Sequence, residues 1–373
     1  MLEIFGHGGD LRTASARFGL APESFLDFSA NINPLGPPPG VLDLLNKAMP
    51  YITAYPDPGH RGLVSRLSGL LNLDASCLVI GNGAAENMAL ALLAFAPDEV
   101  GVIEPCFSEY RQLAVMFGAK VTSVQGEEAR DFKADPEEVI RLISRCGMVF
   151  IGQPNNPNGV QYSQEELQRF AEAGERSDCV VVIDEAFIDF IPAERRQSLA
   201  DQLMSYPNLV LIRSMTKFYA IPGLRLGYAI AHPERAAAMR AKQVTWSVNS
   251  LALLAGEACL SDSEAYGSET ISLITRQRVR LREGLAKLGC RTWPGEANFL
   301  LVRLPDGWTA EAMQTGLGQR GILVRSCAMY PGLGQGDIRI AVKDAAACDR
   351  LLHELGDVLI RGRSDGDAIF TNG

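Results

Sequence analysis

Between residues 78 and 231, short and wholly apolar runs alternate with longer stretches of helical period, an alternation that admits few folds. The strand candidates are 77–80, 100–103, 120–124, 148–152, 179–183, 209–212 and 226–231. Runs such as Val180-Val181-Val182-Ile183 and Leu209-Val210-Leu211-Ile212 are apolar on both faces. Such strands are covered by helices on each side, as in a mostly parallel sheet. Helices are expected between them, for example over 84–96 and 163–176. The second opens on Ser163 with Glu166 three residues on, a capping box. This is an α/β pattern. From about 246 it changes to a proline-free helical stretch over 247–288. Strand candidates follow at 298–303, 322–325 and 337–342, with helices at 309–319 and 344–358, a smaller α+β unit. The expected organisation is an arm (1–40) belonging to the small unit and covering the active site, a large domain (41–246), a small domain (247–360) and a polar, unpatterned, mobile tail (361–373).

Composition narrows the function classes. The 373 residues, 47% hydrophobic and 21% charged, are those of a globular chain rather than a disordered one. Lys plus Arg is 35 against 44 for Asp plus Glu, and the resulting charge of −9 argues against a nucleic-acid partner. It does not exclude a small anionic ligand, which needs only a local cluster of cations. The eight cysteines show no CxxC or metal-like spacing and read as buried free thiols of a reducing cytosol. The longest apolar run, Met88 to Ala96, is too short to span a bilayer. Glu3, His7 and Asp10 stand where a signal peptide would have basic and apolar regions, so a cytoplasmic location is expected. His60, His232 and His353 show no ligand spacing, and no metal is expected.

Four segments carry the chemistry. In Ser214-Met-Thr-Lys217-Phe-Tyr-Ala-Ile-Pro-Gly-Leu-Arg225-Leu-Gly227, a lysine and an arginine share a Pro-Gly loop between two buried strands. Such cations are rarely buried without a partner. A lysine whose pKa is depressed can condense with an aldehyde, while Ser214 and Arg225 offer donors to a phosphate. In Val182-Ile183-Asp184-Glu185, the aspartate ends an apolar strand, where open α/β sheets bind ligands. Alone it reads as a cap or loop residue; beside Lys217 it suits a protonated ring nitrogen. Gln153-Pro154-Asn155-Asn156-Pro157-Asn158-Gly159 is first of all a turn, with Asn156 able to donate to a cofactor oxygen. Gly81-Asn82-Gly83-Ala84-Ala85-Glu86 joins strand to helix and can present N–H groups to an anion.

Together these segments resemble the fold-type I, aspartate aminotransferase-like family of pyridoxal-phosphate enzymes over about residues 1–360. The resemblance implies pyridoxal 5'-phosphate as cofactor. It implies Lys217 as the lysine that holds the cofactor aldehyde, Asp184 as the partner of the ring nitrogen and Asn156 as a donor to the ring oxygen. Ser214, Arg225 and the Ala84 and Ala85 amides would form the phosphate cup. Phe107 stands at the ring-stacking position, and Tyr55, in Tyr55-Pro56-Asp57-Pro58, resembles the tyrosine that reaches the phosphate from a second subunit, which implies a homodimer. Taken singly, Phe107 and Tyr55 read as core or turn packing.

Two branches are similar: threonine-phosphate decarboxylases of the cobalamin pathway and histidinol-phosphate aminotransferases. His7-Gly8-Gly9-Asp10, the segment Leu26 to Gly36 and the segment Leu323 to Leu333 resemble the former. Phe187 stands where many aminotransferases carry a tyrosine, so one hydroxyl donor is missing. The implied reaction is decarboxylation of O-phospho-L-threonine to (R)-1-aminopropan-2-yl phosphate and CO2, with histidinol-phosphate transamination as the alternative. A substrate with carboxylate and phosphate needs two further anchors, and Arg325 and Arg339 both lie in strand candidates of the small unit. His7, Gly8 and Asn31 match substrate-contacting positions of the decarboxylases. A non-catalytic regulator that binds the same cofactor usually appends a DNA-binding module, which the acidic charge does not favour.

Overall fold

The computed structural model describes residues 8–261 and 263–364. Its strands are β1 (Leu26–Asp27), β2 (Leu78–Gly81), β3 (Glu99–Glu104), β4 (Lys120–Gln125), β5 (Met148–Gly152), β6 (Val180–Asp184), β7 (Leu209–Ser214), β8 (Gly227–Ala231), β9 (Arg291–Thr292), β10 (Phe299–Arg303), β11 (Ile322–Leu323), β12 (Arg325–Ser326) and β13 (Asp337–Ala341). Seven of them form one sheet in the order β2-β8-β7-β6-β5-β3-β4. All its pairings are parallel except those of β8, which runs antiparallel to β2 and β7. The doubly apolar runs explain the layering. Val181, Ile183, Leu209 and Leu211 pack into the core on one face. Val180, Val182, Val210 and Ile212 pack into the core on the other. Successive side chains of a strand point to opposite faces, so a strand buried on both sides must be apolar throughout. Only β4 breaks this rule, and its polar residues lie at the sheet edge.

The second sheet, β12-β13-β10-β9, is antiparallel. The N-terminal segment lies beside it in a separate two-stranded sheet. β1 pairs in parallel with β11, the Phe28 amide donates to the Leu323 carbonyl (2.8 Å), and the Phe28 carbonyl accepts from Ala341 (2.9 Å). The first 35 residues, patternless in sequence, thus supply the helix Leu11–Phe18 and a two-residue strand. A strand that short has no periodicity to read.

Three sequence expectations are corrected. The stretch 247–288 is two helices, Ser250–Cys259 and Ser263–Lys287, rather than one. The 322–325 candidate is split between two sheets, because β11 turns to β1 while β12 pairs with β13. The last helix runs Ala345–Ser364, so 361–364 are helical rather than tail; 365–373 lie outside the described residues. The capping box at Ser163 is present, and all eight cysteines are free and buried. No helix among the described residues is long and apolar enough to cross a membrane.

Gly227 opens β8 where that strand touches the start of the helix Ala84–Phe95. A Cβ there would lie 2.8 Å from both the Ala84 nitrogen and the Arg213 carbonyl oxygen. Gly227→Ala is therefore expected to destabilise the protein by roughly 1–3 kcal/mol. Chemical denaturation would read this as a lower midpoint with an unchanged slope.

Candidate active site

The carboxyl ends of β5, β6 and β7 deliver the candidate residues to one place. Asp184 is the last residue of β6 and Ser214 the last of β7. The short helix Met215–Phe218 follows at once and carries Lys217. Asn156 lies in the turn after β5, and Ala84 and Ala85 open the helix after β2. These residues line a cavity of 310 Å³, together with Gly8, Asn31, Phe107, Arg225, Arg325 and Arg339. It is the crevice at strand carboxyl ends where open α/β sheets bind ligands. One described candidate, Tyr55, is not brought there. Tyr55 is 79% exposed and stacks on Trp246 at 4.5 Å. His7 lies outside the described residues.

The electrostatics follow from burial. Lys217 is pushed down to about 8, first by loss of solvent, then by the charges of Arg339 and Arg225, against the pull of Asp184. A substantial share of its amine is thereby neutral near physiological pH. Asp184 is pushed up to about 6 by burial, although the Tyr110 hydroxyl (2.7 Å) and the Ala186 amide (3.0 Å) both donate to it. Arg339 donates to Asn156 Oδ1 (2.6 Å) and to the Ser29 carbonyl (2.8 Å), and lies over the Phe299 ring at 5.4 Å. With its oxygen so engaged, the Asn156 amide is left to act as a donor. Arg325 is 1% exposed and sits directly across from Arg339 in the β12–β13 register. It contacts the Met329 sulfur (3.4 Å) and lies over the Tyr330 ring at 6.0 Å. Like charges directly opposite on neighbouring strands destabilise a sheet. An anion between them removes that penalty.

At the other end of the cavity, Arg225 adopts a left-handed conformation (φ 57°), which a non-glycine residue holds only under constraint. Its guanidinium fits because residue 83 is glycine. A Cβ on Gly83 would stand 2.7 Å from Arg225 Nη2, and its φ of +83° favours glycine as well. The helix Ala84–Phe95 has no side-chain cap at its start, so its first amides are open to an anion. Ser214 Oγ and Thr216 Oγ1 lie 2.7 Å apart beside it. Phe187 also lines the cavity, edge-on to Phe299 at 5.0 Å.

A family model of the class I and II aminotransferases matches residues 23–355. The chain belongs to that family. Its members are pyridoxal-phosphate enzymes, and pyridoxal phosphate is the cofactor of this aminotransferase-family protein. Threonine-phosphate decarboxylase of Salmonella typhimurium is 37% identical over 355 residues, 95% of this chain and 96% of that one. The structure of histidinol-phosphate aminotransferase from Clostridium acetobutylicum superposes with a TM-score of 0.84 at 33% identity, covering 90% of this chain and 99% of that one. That from Sinorhizobium meliloti, solved with pyridoxal-5'-phosphate, shares the fold at a TM-score of 0.84 and 23% identity, over 97% and 100% of the two chains.

The cavity fits such a cofactor. It offers an uncapped helix start beside an arginine, a buried amine, a buried carboxylate and an aromatic wall. Asn31 Oδ1 and Arg339 Nε are buried without a hydrogen-bond partner among the described residues, as expected of groups that await a ligand. Sequence reading missed Tyr110, Thr216, Tyr330 and Ser29. Thr216 was within reach, two residues from Ser214 in the quoted motif. Tyr110 is 74 residues from Asp184 and gives no local signal of their contact.

The raised carboxylate implies a pH-dependent stability. In the cofactor-free protein Asp184 binds its proton more tightly folded than unfolded, so stability falls as pH rises from 3.8 to about 6. Asp184→Asn should therefore stabilise the cofactor-free protein at neutral pH by about 2–3 kcal/mol. The gain should shrink toward pH 4 and should be accompanied by weaker cofactor binding. Melting temperatures measured across that range test the sign.

Proposed function

We propose that the protein decarboxylates O-phospho-L-threonine to (R)-1-aminopropan-2-yl phosphate and CO2, a step of cobalamin biosynthesis. The observation that carries this is the buried Arg325–Arg339 pair, in register across β12 and β13 and lining the same cavity as Lys217. With Arg225 and the helix start given to the cofactor phosphate, two further guanidinium groups line the cavity, matching a substrate with two anionic ends. The 37% identity to the Salmonella typhimurium decarboxylase supports the same reading. So does Phe187, which cannot supply the hydroxyl that many aminotransferases place there.

In this reading Lys217 holds the cofactor aldehyde, Asp184 accepts from the ring nitrogen, and Asn156 donates to the ring oxygen. Phe107 stacks on the ring. Ser214, Arg225 and the amides of Ala84 and Ala85 hold the phosphate. When bound, pyridoxal phosphate supplies an electron-poor ring that weakens the substrate bond standing perpendicular to it. Arg325 and Arg339 grip the substrate's anionic ends and so decide which bond stands there. Asn31 and Gly8, which line the cavity, contact the substrate, as does His7 by its motif. Lys217 Nζ, with its lowered proton affinity, returns a proton to the carbon that has lost CO2. Tyr55 acts from a second copy of the chain. Its segment exposes Tyr51, Ile52 and Tyr55, with Val244 and Trp246 exposed nearby, an apolar surface suited to a homodimer contact. We also propose the division into an arm (1–40), a cofactor domain (41–246) and a small domain (247–360).

With O-phospho-L-threonine the enzyme should release CO2 and form aminopropanol phosphate without a 2-oxo acid. Transamination of histidinol phosphate in place of CO2 release would reject this in favour of the aminotransferase. Lys217→Ala should lower turnover by roughly 10²–10⁴-fold or more. Arg325→Ala should raise KM for the phosphorylated substrate by about two orders of magnitude while cofactor affinity changes little. Equal losses of both would return Arg325 to a structural role.

A further inference from the structure

The helix Ser108–Met116 places two aromatic rings beside the cofactor site from its first turn. Phe107 stands at its N-cap and lines the cavity, and Tyr110 lies behind it, 1% exposed. The two rings meet edge to face at 5.6 Å, and Tyr110 stacks on Phe150 of β5 at 5.1 Å with the planes 9° apart. Clamped in this way, the Tyr110 hydroxyl donates to Asp184 Oδ2 at 2.7 Å. The other oxygen, Oδ1, accepts the Ala186 amide at 3.0 Å. Each carboxylate oxygen therefore has one fixed donor and spare acceptor capacity.

We propose that Tyr110 is the positioning residue of Asp184: its hydroxyl fixes the carboxylate's orientation and favours the ionised form that accepts from the cofactor ring nitrogen. This rests on the reading of Asp184 as the partner of that nitrogen. The phenol is suited to the task because burial and the neighbouring Asp184 hold its own pKa well above the ordinary value, so it remains a donor. The groups that act on Asp184 are Tyr110 from this helix, Glu185 next to it in the chain and Lys217 from the turn after β7; Cys106 lies beside Tyr110. Burial raises Asp184 and Glu185 adds to that, while Tyr110, the Ala186 amide and Lys217 oppose it. Removing the hydroxyl removes the strongest interaction that opposes burial.

The experiment is to titrate cofactor-free protein with pyridoxal phosphate, following the quenching of tryptophan fluorescence, from about pH 5 to about pH 8. Wild-type affinity should weaken as pH falls through about 6, where Asp184 takes up its proton. In Tyr110→Phe this acid limb should move up by about one pH unit, lowering affinity about twofold at pH 7 and roughly tenfold well below pH 6. Phe150→Leu, which loosens the stack and keeps the hydroxyl, should lower the melting temperature and leave the limb in place. An acid limb that vanishes in Asp184→Asn but does not move in Tyr110→Phe would overturn the role of Tyr110 alone. Equal displacement by Tyr110→Phe and Phe150→Leu would overturn it too, by assigning the effect to packing. A limb that persists in Asp184→Asn would overturn the reading of Asp184 and the inference with it.

Discussion

The structure turns on the concentration of positive charge in one buried place. Lys217, Arg225, Arg325 and Arg339 line a single cavity of a protein whose net charge is −9. Among the described residues of that wall, the carboxylates are Asp184 and Glu109. Arg339 leans on an aromatic face, a carbonyl and an amide oxygen, and Arg325 touches a thioether and lies over an aromatic ring. Such contacts soften desolvation without cancelling charge. The field that remains lowers the proton affinity of Lys217 and makes the cavity a receptor for anions. The neighbouring buried cation outside the cavity is neutralised instead. Arg213, one residue before Ser214, pairs with Glu185 at 2.8 Å. The contrast marks the cavity as the place where stability has been given up for binding.

Holding like charges together requires a rigid frame, which the parallel sheet supplies. β6 and β7 are buried on both faces, so neither can slip by a residue without turning a core side chain toward the wrong layer. Asp184 and Ser214 inherit that register as the strands' last residues. Glycines complete the frame where backbone and side chain crowd together: Gly227 against Ala84, and Gly83 against Arg225. The second sheet brings Arg325 and Arg339 to the same cavity. Arg339 binds Asn156 and Ser29, so one side chain links the small sheet, the turn after β5 and the N-terminal segment.

Much of this was legible because it is local. Runs of β-branched and aliphatic residues mark strands buried on both faces, and polar residues directly after them mark the carboxyl ends where ligands bind. Strand positions, the capping box at Ser163 and the residues Asp184, Ser214, Lys217 and Arg225 can all be read that way. Short elements could not. β1, β9, β11 and β12 have two residues each, too few for a period, and pairing alone decides that they exist. For the same reason the chain near Leu323 read as one strand while its two ends join different sheets.

The sequence by itself determined the layered α/β architecture and the identity of the charged groups that follow the strand ends, since these follow from periodicity and residue type, while its motifs carried the resemblance to the family. Only the tertiary structure decided what those groups do to one another. The descent of Lys217 to about 8 and the rise of Asp184 to about 6 are set by burial and by neighbours distant in the chain. The opposition of Arg325 to Arg339 is a matter of strand register. The hold of Tyr110 on Asp184 joins residues 74 positions apart. Electrostatic energies depend on distance and solvent exclusion, and neither is a property of position along a chain.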